Sequence, residues 1–115
     1  MIIDIVRNHD MGYDFESGFI PVVLNEGASQ PQSPTMISLQ ISWSGIVGTA
    51  GGAIEIIGSN SFDAVPITRS IYFDTYTKFS DSCMIIINPI FRFLKLKYMN
   101  GGLTGGGLNA VAYYE

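Results

Sequence analysis

A strictly alternating stretch, Ile37 to Trp43, constrains the fold of this chain more than any other part of the sequence. Apolar residues occupy every second position there, and serine or glutamine stands between them. Successive side chains of a strand point to opposite faces, so this period predicts a strand with one buried side. Ala53 to Ser59 predicts a second strand, with Ile54 and Ile56 inward. The Gly-rich connection between the two stretches leads us to expect a central hairpin.

The rest of the chain also favours strands. Turn-forming residues recur at the 8–12-residue spacing that is typical of sandwiches and barrels, and no helical period is present. We expect a single all-β domain over residues 1–115, an antiparallel, jelly-roll-like β-sandwich of about eight strands. Residues 1–35 would supply an N-terminal arm and edge strands. The other predicted strands are Ile2–Val6, Phe19–Leu24, Ile71–Phe79, Met84–Asn88, Ile90–Tyr98 and Leu108–Tyr114.

Three further expectations follow from local composition. The stretch from Asn100 to Gly107 contains five glycines and is predicted to be a loop. Residues 84–88 are apolar at nearly every position, which predicts a strand that is covered on both faces. Asn25 to Pro34 is rich in proline and small polar residues and is predicted to be an extended loop.

Composition indicates what surrounds such a sandwich. Apolar residues make up 47% of the 115 residues and charged residues only 14%, so part of the surface must be apolar and is expected to be covered by partners or by copies of the chain. The net charge of −4 argues against nucleic acid as the partner. No segment approaches the roughly 18 apolar residues of a membrane span. The N-terminus lacks the basic start of a signal peptide, so neither a membrane nor secretion is expected.

Catalytic and metal sites are weakly indicated. His9 is the only histidine and Cys83 the only cysteine, so any nucleophilic site would need His9, which lies in a polar segment without a nucleophile elbow. Asp10, Asp14 and Glu16 crowd one segment and offer oxygen ligands for Ca²⁺, but their spacing does not match an EF-hand. A solvated histidine and a solvated acidic loop are favoured. We therefore predict no enzyme, no cofactor and no resident metal.

One strand combines basic and aromatic residues. Arg92, Lys95 and Lys97 alternate with Phe91 and Phe93, an arrangement seen in platforms for single-stranded nucleic acid. The acidic total charge opposes that interpretation. The outer face of a strand is the favoured alternative, and contact with an acidic protein neighbour is the other.

A candidate assembly surface follows from the apolar residues on outward faces. Ile57 and Phe93 lie beside charged residues on their strands, so either a second layer covers them or they are buried on assembly. Aromatic residues of the N-terminal part are equally suited to interfaces. The predicted assembly residues are Tyr13, Phe15, Phe19, Ile57, Phe93, Lys95 and Lys97.

Several motifs, taken in order, support a resemblance. They are Trp43-Ser-Gly45, Ile54-Glu-Ile-Ile-Gly-Ser-Asn60, Val65-Pro-Ile67, Phe91-Arg-Phe-Leu-Lys-Leu-Lys-Tyr98 and Leu108-Asn-Ala110. Together they cover about residues 37–114, and the chain resembles small β-sandwich proteins encoded among phage structural genes. Those proteins are similar in turn to discoidin-type, galactose-binding-like sandwiches. Ser61-Phe62 precedes Asp63 where the related turn is Ser-Asn-Asp-Gly.

The resemblance implies a component of a bacteriophage virion, either a capsid decoration or cement protein or a part of the tail or fibre. The expected function is therefore non-enzymatic. The protein would be made in the host cytoplasm, dock on the major capsid or tail protein and stabilise the virion. Copies of itself, in a trimer by analogy, are the second expected partner. The alternative is a carbohydrate-binding module for host attachment.

Overall fold

The computed structural model describes residues 1–24, 29–30, 32–63 and 66–115, and these residues form nine strands and no helix. The strands are β1 (Ile2–Asp10), β2 (Phe15–Glu16), β3 (Ile20–Pro21), β4 (Ile37–Gly48), β5 (Ala53–Ser59), β6 (Ile67–Tyr72), β7 (Asp81–Ile87), β8 (Phe93–Met99) and β9 (Leu103–Tyr114). The predicted all-β class is confirmed. The count is one more than predicted, because the segment before β4 pairs with β8 at two separate places.

Two antiparallel sheets form the layers of a sandwich. The first has the order β1-β9-β4-β7, and the second has β8, β5 and β6 in that order with β2 and β3 both paired to the far side of β8. If β2 and β3 are counted together, the chain pairs its first strand with its last, its second with its second-last, and so inward to β5 with β6. This nested pairing is the jelly-roll arrangement that the sequence predicts.

The prediction that β4 and β5 form a hairpin is wrong. β4 pairs with β9 and β7 in the first sheet, whereas β5 pairs with β8 and β6 in the second. Both sides of β4 are therefore occupied by strands distant in sequence, and β5 lies between β8 and β6, the next strand along the chain. Residues 49–52 cross from one sheet to the other, and the Thr49 amide donates to the Gly102 carbonyl at 2.9 Å. Alternation predicts which face of a strand is buried but carries no information about its neighbours.

The core lies between the sheets and contains the inward residues that alternation predicts. Ile37, Leu39 and Ile41 of β4 are fully buried, as are Ile54 and Ile56 of β5. The aromatic residues of the core stack edge to face. The ring centroids of Trp43 and Phe73 are 5.1 Å apart and those of Phe73 and Tyr98 are 6.1 Å apart.

The glycine run after Asn100 is not the predicted loop. Its residues 103–107 begin β9, and Gly105 and Gly107 pair with Val47 and Ser44 of β4. Gly106 has φ +126°, and a Cβ there would lie 3.1 Å from the Met11 sulfur. Glycine thus permits a bulged strand to pass close to its neighbours.

Three other predicted segments, at residues 71–79, 84–88 and 25–34, have different outcomes. The strand predicted over residues 71–79 ends at Tyr72, because Asp74 closes a turn by accepting the Tyr76 amide at 2.9 Å. The prediction that residues 84–88 are covered on both faces is wrong, since Met84 and Ile86 are exposed on the outer face. Val65 and part of the predicted loop 25–34 (residues 25–28 and 31) lie outside the described residues.

Candidate assembly surfaces

The outer face of the first sheet carries apolar side chains on both sides of Ser38 and Gln40 of β4, near the N-terminal end of β1. The strand register aligns two rows across all four strands. One row is Ile2, Tyr113, Ser38 and Ile86, and the next is Asp4, Val111, Gln40 and Met84. We call Ile2, Met84, Ile86, Val111 and Tyr113 the apolar face.

The apolar face is uncovered by any described part of the chain. Ile2 is 69% exposed, Ile86 63%, Met84 59% and Tyr113 45%. The surface between them is a shallow groove of about 250 Å³, whose polar lining is limited to Ser38 and Gln40. Exposed apolar residues grouped in this way mark interaction sites on folded proteins.

A larger groove is lined by residues of both β6 and β7, the edge strands of the two sheets. It encloses about 480 Å³. Ile86 and Ile87 line it from β7, and Thr68 and Arg69 line it from β6. Ile90, which is 78% exposed, extends the apolar lining beyond the end of β7. The groove therefore adjoins the apolar face along β7.

The outer face of the second sheet carries a different group, the aromatic cluster of Phe19, Phe62 and Phe93. The Phe62 ring lies 5.0 Å from Phe19 and 4.7 Å from Phe93, measured between centroids. Lys95 Nζ lies 4.8 Å from the centroid of the Phe19 ring and also forms an ion pair with Glu16. Phe62 thus covers part of the half-buried Phe19 and Phe93 and remains 64% exposed itself.

Electrostatics on this face follow from the ion pair. The hydrogen bond from Lys95, followed by its charge, lowers the pKa of Glu16 below its ordinary value. Lys97 stands in register between Glu16 on one side and Glu55 on the other. The two lysines thus face carboxylates of their own chain.

The seven residues predicted as an assembly surface fall into two groups. Phe19, Ile57, Phe93, Lys95 and Lys97 lie on the outer face of the second sheet. Ile57 stands opposite Lys95 in register and is only 3% exposed. Of the two alternatives for Ile57, cover by its own chain is therefore the one observed.

Tyr13 and Phe15 lie apart from that group. The Phe15 ring is 5.1 Å from His9, and Tyr13 is 69% exposed. Sequence reasoning missed Phe62, which lies in a turn, and it missed Met84 and Ile86. The apolar run that contains Met84 and Ile86 would indicate an exposed side if β7 were known to be an edge strand. The sequence does not show which strands are edges.

The residues considered for catalysis do not meet. His9 lies on β1 and Cys83 on β7, at opposite edges of the first sheet, three strand spacings or about 14 Å apart. His9 Nε2 is 2.8 Å from the Tyr13 carbonyl oxygen and forms a hydrogen bond with it. Burial, and then the charge of Asp81, raises the pKa of the Cys83 thiol, which disfavours a reactive thiolate.

The acidic residues of the N-terminal segment have separate partners. Asp10 accepts the Gly12 amide and Asp14 accepts the Asn100 amide, each at 2.9 Å, while Glu16 pairs with Lys95. In the described part of the chain, no three His, Cys, Asp or Glu side chains form a group suited to a metal. No helix in that part is long and apolar enough to cross a membrane.

Exposed aromatic residues also surround the turn between β6 and β7. Tyr76 is 91% exposed, Tyr72 72% and Phe79 66%. Asp74 and Phe79 line a cavity of about 450 Å³ at this turn. Aromatic rings beside polar groups at a loop are suited to stacking on a ligand.

Comparison with known proteins assigns this chain to no family. No family model matches the chain, and no curated protein matches it. One solved structure that the chain matches comes from work described as "Bacillus endospore appendages form a novel family of disulfide-linked pili". It has 12% sequence identity and a TM-score of 0.41, over 98% of this chain and 88% of that chain.

Proposed function

We propose that this chain is a non-enzymatic structural subunit of a bacteriophage virion that docks on the capsid or tail in many copies. The observation that carries the proposal is the apolar face, a group of large side chains that the chain's described residues leave uncovered. The phage assignment itself is supported by the ordered motifs of residues 37–114.

The mechanism is burial of the apolar face against a capsid or tail protein. Completing the burial of each of its half-exposed side chains contributes roughly 1–2 kcal/mol. A single copy would bind weakly, because the cost of association offsets most of the free energy gained by this burial. Many copies that contact both the shell and each other gain through effective concentration, which would stabilise the assembly as a whole. Trimers at the symmetry axes of a shell are one arrangement of such copies.

The test is to compare virions made with and without the protein, and with two variants. Ile2→Lys combined with Tyr113→Lys places two charges in the apolar face and should reduce the copies per particle, counted by quantitative mass spectrometry, at least 10-fold. Tyr76→Ser removes an equally exposed aromatic residue far from that face and should leave the copy number unchanged. Absence of the wild-type protein from purified particles would refute the proposal.

A carbohydrate-binding module is the second candidate. Phe79, which lines the same cavity as Asp74, and the exposed Tyr72 and Tyr76 of the same segment favour it, because aromatic rings stack on sugars and carboxylates accept hydrogen bonds from hydroxyl groups. Screening the purified protein against a glycan array tests this candidate. Binding that is lost in Tyr76→Ser but kept in Ile2→Lys with Tyr113→Lys would establish it over virion docking.

A further inference from the structure

The four edges of the two sheets differ in how well they are protected against pairing with another chain. β1 is bulged at two places and carries the Asp4–Arg7 ion pair. β2 and β3 have two residues each, and Pro21 has no amide hydrogen. β6 has a bulge against β5 and an exposed Arg69 at its centre. Short strands, bulges, charges and proline are the known protections of sheet edges.

β7 has none of these protections except the charge of Asp81 at its first position. Its seven residues pair with β4 in an unbroken register from Ile87 to Asp81. The sequence from Ser82 to Ile87 contains no charge, no proline and no glycine. Its outward side chains Met84 and Ile86 are 59% and 63% exposed. An apolar edge strand of this kind is a template for pairing with another strand.

We infer that two copies of the chain pair through β7 about a two-fold axis and form a continuous eight-stranded sheet. The inference rests on the proposed structural role and names the partner, a second copy. A second copy is the fitting occupant because pairing needs another unprotected edge, and among the described strands the chain offers only β7. Self-pairing of one patch is the geometry of a two-fold dimer.

The side chains specify the register. Opposite residues in antiparallel strands point to the same face, so inward residues must meet inward residues. A two-fold axis at Ile85 places Met84 of one copy opposite Ile86 of the other, twice, on the outer face. The same register places Cys83 opposite Ile87 on the inner face. The apolar faces of both copies then join into one surface.

Charge favours the same arrangement. Asp81 begins β7, whereas Arg69 lines the groove beside the far end of β7, near Asn88. Antiparallel pairing brings Asp81 of one copy toward Arg69 of the other. The two Asp81 carboxylates stay roughly 27 Å apart, eight residues along the strands, which exceeds the screening length of about 8 Å at physiological salt. No ion pair within the described residues occupies either side chain.

The first test measures self-association of the full chain by sedimentation from about 5 to about 500 μM. A strand-sized contact predicts a Kd on the order of 10–100 μM. Met84→Lys with Ile86→Lys should weaken the dimer at least 10-fold. Ile2→Lys is the matched control, since Ile2 is equally exposed on the same face but lies on β1, and it should change the Kd less than 2-fold. A monomer at every concentration, or equal weakening by Ile2→Lys, would overturn the inference.

Cross-linking tests the register independently of affinity. In a Cys83→Ser background, Met84→Cys copies mixed with Ile86→Cys copies should form the mixed disulfide, because opposite Cβ atoms lie about 4.5–5.5 Å apart. Met84→Cys mixed with Ile2→Cys should not. Charge reversal adds a third readout: Asp81→Arg should weaken the dimer several-fold, and adding Arg69→Asp should restore it. Preferential formation of the Met84–Ile2 disulfide would refute the register.

The two proposals fail separately. A protein that enters particles but remains monomeric refutes the β7 dimer and leaves the structural role intact. A protein that dimerises through β7 but never associates with particles refutes the virion role.

Discussion

The outer faces of the two sheets carry apolar residues of similar kinds, but these residues differ in how much of their surface is exposed. On the second sheet, Ile57 is 3% exposed, and Phe93 packs against Phe62 and beside Phe19. On the first sheet, Ile86 has the same side chain as Ile57 and is 63% exposed. The comparison teaches that an outward apolar residue indicates an interface only where the chain supplies no cover of its own.

The outer face of the second sheet is covered in part by the segment between β1 and β4, which carries Phe19, and in part by Phe62 from the turn after β5. Ser17 holds this segment to β8, because its amide donates to the Leu96 carbonyl and its hydroxyl oxygen accepts the Leu96 amide, both at 2.9 Å. The serine hydroxyl thus takes the place of a backbone partner between β2 and β3. Nothing equivalent in the described chain lies over Met84 and Ile86.

The largest expected effect compares two isoleucines on these faces. Ile57→Ala should lower the free energy of unfolding by about 2–4 kcal/mol, because it leaves a cavity at a side chain that is only 3% exposed. Ile86→Ala removes the same atoms from an exposed site and should cost less than about 1 kcal/mol. Urea denaturation of the isolated protein at low concentration measures both. Equal losses would mean that the two faces are not covered differently.

The next effect concerns the attachment of the cover. Ser17→Ala removes the acceptor of the buried Leu96 amide and should cost about 1–2 kcal/mol. Ser80→Ala is the control, since Ser80 accepts the Gly45 amide at an exposed position, and should cost less. Hydrogen exchange should speed up at Leu96 in Ser17→Ala and stay unchanged along β7. Unchanged exchange at Leu96 would contradict this role of Ser17.

A similar but pH-dependent effect is expected at Tyr98, whose hydroxyl donates to the Met11 carbonyl at 2.7 Å. Burial, then the charges of Asp14 and Asp10, raises the pKa of Tyr98 from 10.0 to about 12. The folded state thus holds the hydroxyl proton of Tyr98 more tightly than the unfolded state does. The stabilisation from protonated Tyr98 is therefore complete below pH 10.0 and is lost as the pH rises toward 12.

Tyr98→Phe should therefore cost about 1–2 kcal/mol near neutral pH, through the lost hydrogen bond. The difference between the wild type and this variant should shrink in alkaline solution. Denaturation curves across the alkaline range measure it. Tyr76→Phe, at an exposed position, should follow the wild type throughout, and a pH-independent difference for Tyr98→Phe would count against the raised pKa.

The smallest effect concerns the ion pair over the aromatic cluster. Lys95→Met should let the pKa of Glu16 rise toward its ordinary value, because the hydrogen bond from Lys95 and the charge of Lys95, the two largest causes that lower it, are both removed. The stabilisation from Glu16 is present above the ordinary value of 4.5 and is lost as the pH falls through the lowered pKa. NMR titration of the Glu16 carboxyl measures the shift. Lys97→Met should produce a smaller rise, and the reverse order would be inconsistent with the observed pairing.

Much of the local structure was predictable because it depends on short-range chemistry. Alternation identified the buried sides of β4, β5, β8 and β9, and turn residues marked most strand ends within a few positions. The jelly-roll class followed from the number and spacing of the strands. The candidate surface was predictable only in part. Phe19, Phe93 and Lys95 do come together, whereas Met84 and Ile86 were read as covered.

What the sequence determined by itself is the all-β class and the side of each strand that faces the core, since both depend on side chains one and two positions apart. The tertiary structure alone decided which strands pair, which of them are edges and which outward apolar residues are covered. Those outcomes depend on contacts such as Ile2 with Tyr113 and Ile37 with Ile87, between residues far apart in the chain. A local pattern cannot encode them, because the same alternation is satisfied by any neighbour that presents an apolar face.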